Sequence, residues 1–134
     1  MRLGVKVQLH GYTYSAHPVA CAAALATLDL LDEENSHKSV ASKANVLEEG
    51  IHELQGAPHV TDIRNYGFAA ALMLAAKDNN PTLRPFEVAM RMWGKGYYVR
   101  YGGDTIQLGL PFVIEPNEIN ELCTKLKETV SEVS

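Results

Sequence analysis

The sequence predicts an α+β domain: one antiparallel or mixed sheet of about four strands, with helices on one face, preceded by a long apolar helix. Three observations lead there. Four segments carry apolar residues at helical spacing, four shorter ones read as strands, and Gly, Pro, Asn and Asp occupy the joints between them. The order reads α-α-β-β-α-β-β-α, without an internal repeat or a linker, which places the chain in the α+β class.

Residues 1–17 read as loop. Pro18 suits the first turn of a helix, where its missing N–H costs nothing, and Ser15 or His17 could cap it. This helix runs to about Glu34 through Val19, Ala20, Ala22, Ala23, Ala24, Leu25, Leu28, Leu30 and Leu31. A helix so apolar on all sides is expected to be buried on most faces. The second helix, about residues 38–54, is amphipathic: Val40, Ala44, Leu47, Ile51 and Leu54 form its stripe, with Lys43, Glu48, Glu49 and Glu53 outside it. Gly56 and Pro58 end it.

Residues 59–66 read as a strand, with Gly67 as a bulge or turn. The apolar run FAAALMLAA, residues 68–76, suits a central strand covered on both faces. Asp78-Asn79-Asn80-Pro81 is a loop. Pro85 starts a third helix with Phe86, Ala89, Met90 and Trp93 on its apolar face, stopped by Gly94 and Gly96. Residues 97–101 form a short strand, Gly102-Gly103-Asp104 a turn, and residues 105–110 a strand with Ile106, Leu108 and Leu110 pointing one way. Pro116 opens the last helix, which carries Ile119, Leu122, Leu126, Val130 and Val133.

Composition narrows the function classes. The 134 residues suffice for one core, which buries about two-thirds of the unfolded surface. Hydrophobic residues at 46% and charged residues at 21% are globular values. A net charge of −4 and a pI near 5.7 disfavour a nucleic-acid partner, and no polybasic run marks a membrane surface. The longest apolar run, residues 18–31, is shorter than the ~20 residues of a membrane span. MRLGVKVQLH lacks the apolar stretch of a signal peptide, so a cytoplasmic location is expected. Cys21 and Cys123 both sit in apolar helical sequence, where a buried free thiol is expected. The five histidines have no metal-ligand spacing, so no metal site is expected.

Two stretches are candidates for chemistry. His10-Gly11-Tyr12-Thr13-Tyr14-Ser15-Ala16-His17-Pro18 places hydroxyls and backbone N–H groups ahead of a helix, suited to an anion such as phosphate; helix capping with aromatic packing is the plainer explanation. Val99-Arg100-Tyr101-Gly102-Gly103-Asp104 puts a guanidinium beside glycines, where it can meet a carboxylate; a surface ion pair with Asp104 or a glutamate is the plainer explanation. No Gly-rich phosphate loop follows a strand, since Gly94-Lys95-Gly96 ends a helix.

The string HGYTYSAHPVACAAALATLDLLDEEN, residues 10–35, closely resembles a segment of the class III aminotransferases, fold-type I enzymes that depend on pyridoxal 5′-phosphate. The likeness is strongest to the ω-amino acid:pyruvate (β-alanine:pyruvate) branch. It continues through Gly56-Ala57-Pro58-His59-Val60, Asp62-Ile63-Arg64-Asn65, Arg84-Pro85-Phe86 and Tyr98-Val99-Arg100-Tyr101-Gly102-Gly103-Asp104-Thr105. Residues 1–9 do not resemble the family's lead-in and read as an unrelated leader.

The resemblance implies a C-terminal position: residues 10–35 as interface loop and apolar helix, residues 36–134 as the small domain. It implies that Thr13 hydrogen-bonds the phosphate of the cofactor held by a partner subunit, and that Arg100 binds the substrate carboxylate and can swing aside for amines without one. Tyr12 and His17 share the motif without a defined role. The Schiff-base lysine, the aspartate on the pyridine nitrogen and the phosphate cup lie upstream of this segment in the family. The lysines here, Lys6, Lys38, Lys43, Lys77, Lys95, Lys125 and Lys127, match none of the expected contexts, so the chain is expected to have no catalytic residue, to bind no cofactor alone and not to turn over alone. Leu110-Pro111 stands where Pro-Pro is more usual. With its cover missing, the helix from Pro18 is expected to pair with another copy, giving a homo-oligomer through residues 10–31. The alternative is a stand-alone oligomeric module that reuses the small-domain fold to bind a small carboxylate at Arg100 or to assemble.

Overall fold

A computed structural model describes residues 12–133; the expected leader, residues 1–9, together with His10 and Gly11, lies outside the described residues. The element order is α1 (Pro18–Glu33), α2 (Ser36–His52), β1 (Val60–Tyr66), β2 (Ala69–Leu74), α3 (Leu83–Gly94), β3 (Arg100–Gly102), β4 (Thr105–Gly109) and α4 (Pro116–Glu132). This is the expected order. The chain divides at Asn35–Ser36 into two compact units.

The second unit holds one antiparallel sheet in the order β1-β2-β4-β3. A tight turn at Gly67, whose φ of 55° lies in the left-handed region, joins β1 to β2. The bulge falls elsewhere, near Thr61, where the register shifts between Val60 and Asp62. Helices α2 and α3 pack on the sheet, and α4 packs against both.

The core between them is apolar and closed. Leu47, Ile51 and Leu54 enter it from the α2 side, Leu72 and Ile106 from the sheet, Val88 and Met92 from α3, and Ile119, Leu126 and Val130 from α4, all essentially without solvent contact. Each such side chain contributes about 1.5–3 kcal/mol of burial. The α2 and α4 stripes read from the sequence are the ones that face this core.

Two expectations fail, for related reasons. Strand β2 is not covered on both faces: Ala70, Leu72 and Leu74 are buried, whereas Ala69 is exposed and Ala71 and Met73 are half-buried. All three helices lie on one side, and the strand reads as continuously apolar only because its outward residues are apolar too. Helix α3 turns a different face inward. Arg84, Pro85, Val88, Ala89 and Met92 are buried, and Phe86, Met90 and Trp93 are exposed.

Ends and joints are closed by specific bonds. Glu115 and Glu118 form a reciprocal capping box ahead of Pro116. Lys43 Nζ donates to the Ile114 carbonyl at 2.9 Å, tying α2 to the loop before α4. Lys95 Nζ donates to Thr129 Oγ1 at 2.9 Å and to Glu132 Oε1 at 2.8 Å, tying the end of α3 to α4. Gly50 lets α2 approach α4: a Cβ there would stand 2.9 Å from Cys123 Sγ. Burial pushes the Cys123 thiol up to about 11.

In the first unit, α1 has no buried residue. Val19, Leu25, Leu28 and Leu30 are all more than half exposed. The expectation that its faces are buried is therefore not met within the chain. Cys21, on the same helix, is exposed, against the expected buried thiol; Cys123 is buried as expected. None of the described helices is long and apolar enough to cross a membrane.

Candidate functional site

Thr13 stands in a tight double turn ahead of α1. Ser15 N donates to Tyr12 O at 3.1 Å and His17 N to Tyr14 O at 3.3 Å, with Ala16 in the left-handed region at φ 60°. His17 occupies the N-cap position in extended conformation, but no side chain caps the helix. Capping by Ser15 or His17 is therefore not what the motif does here. The Thr13 hydroxyl makes no hydrogen bond among the described residues, and Tyr12 and Tyr14 are exposed, so neither ring packs into a core. The first turn of α1 leaves the backbone N–H groups of Val19 and Ala20 without acceptors. Such donors, and a hydroxyl such as that of Thr13, are of the kind that binds an anionic phosphate.

Arg100 is the first residue of β3, an edge strand, and lies opposite Gln107 of β4. Gln107 is exposed while its neighbours Ile106 and Leu108 are buried, so Arg100 belongs to the face of the sheet that carries no helix. Among the described residues no carboxylate pairs with it. Asp104 instead accepts a bond from Thr105 Oγ1 at 2.8 Å. The surface ion pair, the plainer explanation of Arg100, is absent from this structure. Its guanidinium is exposed and can make a bidentate contact with an incoming carboxylate.

Beside Arg100 runs a groove of about 320 Å³, lined by Met90, Trp93, Tyr98 and Tyr101 among others. Trp93 meets Tyr98 edge-to-face at 5.9 Å, and Phe86 meets Tyr101 in the same way at 5.6 Å. Sequence reasoning put Phe86, Met90 and Trp93 in the core and so missed this aromatic flank. Their spacing is helical, and nothing in it distinguishes an inward from an outward face. Thr13 and Arg100 belong to different units. Among the described residues, no group of three or more His, Cys, Asp or Glu side chains converges in a way that could hold a metal ion.

The family profile described as "Aminotransferase class-III" matches residues 2–130. The chain belongs to the class III aminotransferases. It is 50% identical over 125 residues to the beta-alanine–pyruvate aminotransferase of Pseudomonas aeruginosa, and 48% identical over 124 residues to the omega-amino acid–pyruvate aminotransferase of Pseudomonas putida. These alignments cover 93% and 92% of this chain and 28% of each relative. The chain thus spans little more than a quarter of the length of the curated relatives it matches.

Solved structures agree. The adenosylmethionine-8-amino-7-oxononanoate aminotransferase of Methanocaldococcus jannaschii superposes with a TM-score of 0.85 at 30% identity, over 95% of this chain and 30% of that one. An amine transaminase from an uncultivated Pseudomonas species, solved in its PLP-bound form, superposes with a TM-score of 0.82 at 30% identity, over 94% and 30% of the two chains. The fold is that of the fold-type I aminotransferases, and the family uses pyridoxal phosphate. Each of these relatives is a longer aminotransferase, and none of them supports a stand-alone module.

Proposed function

We propose that this chain is the C-terminal, small-domain portion of an enzyme that moves an amino group from an ω-amino acid or amine to pyruvate. The observation that carries this reading is the 48–50% identity to two pyruvate-linked aminotransferases along more than nine-tenths of the chain. Pyridoxal phosphate, when bound, supplies the electron sink for the transfer. The residues of this chain do the binding around it. The Thr13 hydroxyl donates to the phosphate of a cofactor seated in a partner subunit, a bond to a charged group worth about 1.5–3 kcal/mol. Arg100 takes the substrate carboxylate through its planar fork and so selects acids by geometry and charge.

The exposed apolar residues of α1 support assembly of copies through residues 10–31. Free thiols at Cys21 and Cys123 fit a reducing compartment such as the cytoplasm. The chain alone carries neither a tethering lysine in a family context nor the ring-binding aspartate, so it does not turn over alone.

A chimaera tests the proposal. Residues 12–133 replace the matching segment of the Pseudomonas aeruginosa enzyme, and β-alanine:pyruvate transamination is measured. The expected result is an active chimaera in which Arg100→Ala raises the KM for β-alanine and Thr13→Ala weakens cofactor retention. A folded chimaera that transfers no amino group, or one indifferent to both substitutions, would contradict it.

A further inference from the structure

The strand register aligns two arginines that the sequence keeps 36 positions apart. Arg64 of β1 lies opposite Ala71 of β2, Ala71 opposite Gln107 of β4, and Gln107 opposite Arg100 of β3. Residues directly opposite one another share a face, so Arg64, Ala71, Gln107 and Arg100 form one row across the sheet. It is the face without helices: Arg64, Gln107 and Arg100 are exposed and Ala71 half-buried, while the alternate residues Leu72, Ile106 and Leu108 are buried. The row begins and ends at the two edge strands. Three interstrand steps of about 4.8 Å separate its ends by about 14 Å between Cα atoms.

Beside Arg64 the floor is low. Ala69 and Ala71 put nothing larger than a methyl group on it, and a cavity of about 420 Å³ opens there, lined by Arg64, Tyr66, Ala71 and Gln107 among others. Gln107 offers an amide at mid-row. Arg64 spends only its Nε on Asp62 Oδ2, at 2.7 Å, and its two terminal nitrogens make no bond among the described residues. Arg100 has no acidic partner among them.

We infer that this open face binds a dicarboxylate, with one acid group on Arg100, the other on Arg64, and the carbon chain across Ala71 and Gln107. The inference rests on reading Arg100 as a carboxylate anchor and adds a second anchor to it. Two planar forks at opposite ends of one cross-strand row match two acids on one ligand better than a single compact anion. Asp62 competes for Arg64 and limits the affinity.

The test is an NMR titration of the chain at constant ionic strength, read at the Nε–H groups of Arg64 and Arg100 and at the indole of Trp93, the sole tryptophan. Dicarboxylates of about four to eight carbons are compared with monocarboxylates of equal carbon number. The best diacid is expected to bind at least about tenfold more tightly than its monoacid, an amount one charge-assisted contact supplies. Arg64→Gln removes that preference and leaves monoacid binding, Arg100→Gln weakens both, and Asp62→Asn strengthens diacid binding. Arg64→Lys, which keeps the charge, retains part of the preference and guards against a folding artefact. Equal binding of diacid and monoacid by the unaltered chain, or a preference that survives Arg64→Gln, overturns the inference while leaving Arg100 as an anchor. Loss of all carboxylate binding, or monoacid binding indifferent to Arg100→Gln, overturns both.

Discussion

Helices α1 and α4 have 16 and 17 residues, and both open on a proline, yet α4 buries six residues and α1 none. By composition α1 is the more apolar helix, and composition alone would rank it the better core element. The difference lies in the partner surface. Helix α4 carries Ile119, Leu122, Leu126 and Val130 on one stripe, facing α2 and α3, and sends its charges the other way. Helix α1 presents Val19, Leu25, Leu28 and Leu30 around its circumference, with alanines between. Apolar area stabilises only where a complementary surface removes it from water. For α4 that surface is in the chain. For α1, on the proposed reading, it is a second copy.

The largest effect that separates these helices is a matched pair of truncations. Leu126→Ala, in the closed core, is expected to cost about 2–5 kcal/mol in denaturant unfolding. Leu28→Ala on α1 is expected to leave the unfolding of the 36–133 unit unchanged and to weaken self-association instead. Equal losses at both positions would erase the distinction. The next effect probes how closely α2 meets α4. Gly50→Ala puts a methyl group 2.9 Å from Cys123 Sγ and is expected to destabilise by about 1–3 kcal/mol, with Cys123→Ala restoring part of the loss.

A third test uses the Cys123 thiol, held protonated by burial up to about 11. Its folded pKa is raised and the group is an acid. The unfolded chain therefore releases this proton first, above its ordinary pKa near 9, and stability falls as pH rises from about 9 to about 11. The limiting slope is about 1.4 kcal/mol per pH unit. Thermal unfolding between pH 8 and 10.5 should show the decline, and Cys123→Ala should flatten it. The smallest effect is at the proposed anchor. Arg100→Ala, on an exposed edge strand, is expected to change stability by no more than about 0.5 kcal/mol; a larger loss would make Arg100 a structural residue.

Much of this was legible before the fold was known. Pro116 and a clean 3.6-residue stripe with charges between marked α4, and the stripe of α2 did the same. The failures came where apolar residues exceed what one face can bury. On α3, Phe86, Met90 and Trp93 make as good a stripe as Val88, Ala89 and Met92, and only packing against the sheet decides between them. On β2, Ala69, Ala71 and Met73 hide the alternation that would have shown an open face. The candidate site divides similarly. Thr13 and Arg100 are singled out by their local contexts, through the family resemblance. The alignment of Arg64 with Arg100 could not be, because it depends on the order β1-β2-β4-β3 and on the register of each strand pair.

The contrast between α1 and α4 is tested most directly by sedimentation equilibrium of the chain beside its Leu28→Asp variant. The account predicts an oligomer for the unaltered chain and a monomer for the variant, with the helical and sheet signals of residues 36–133 intact in both. A monomer at every concentration, with the α1 amides protected from hydrogen exchange, would contradict it, because α1 would then have found its cover within its own chain.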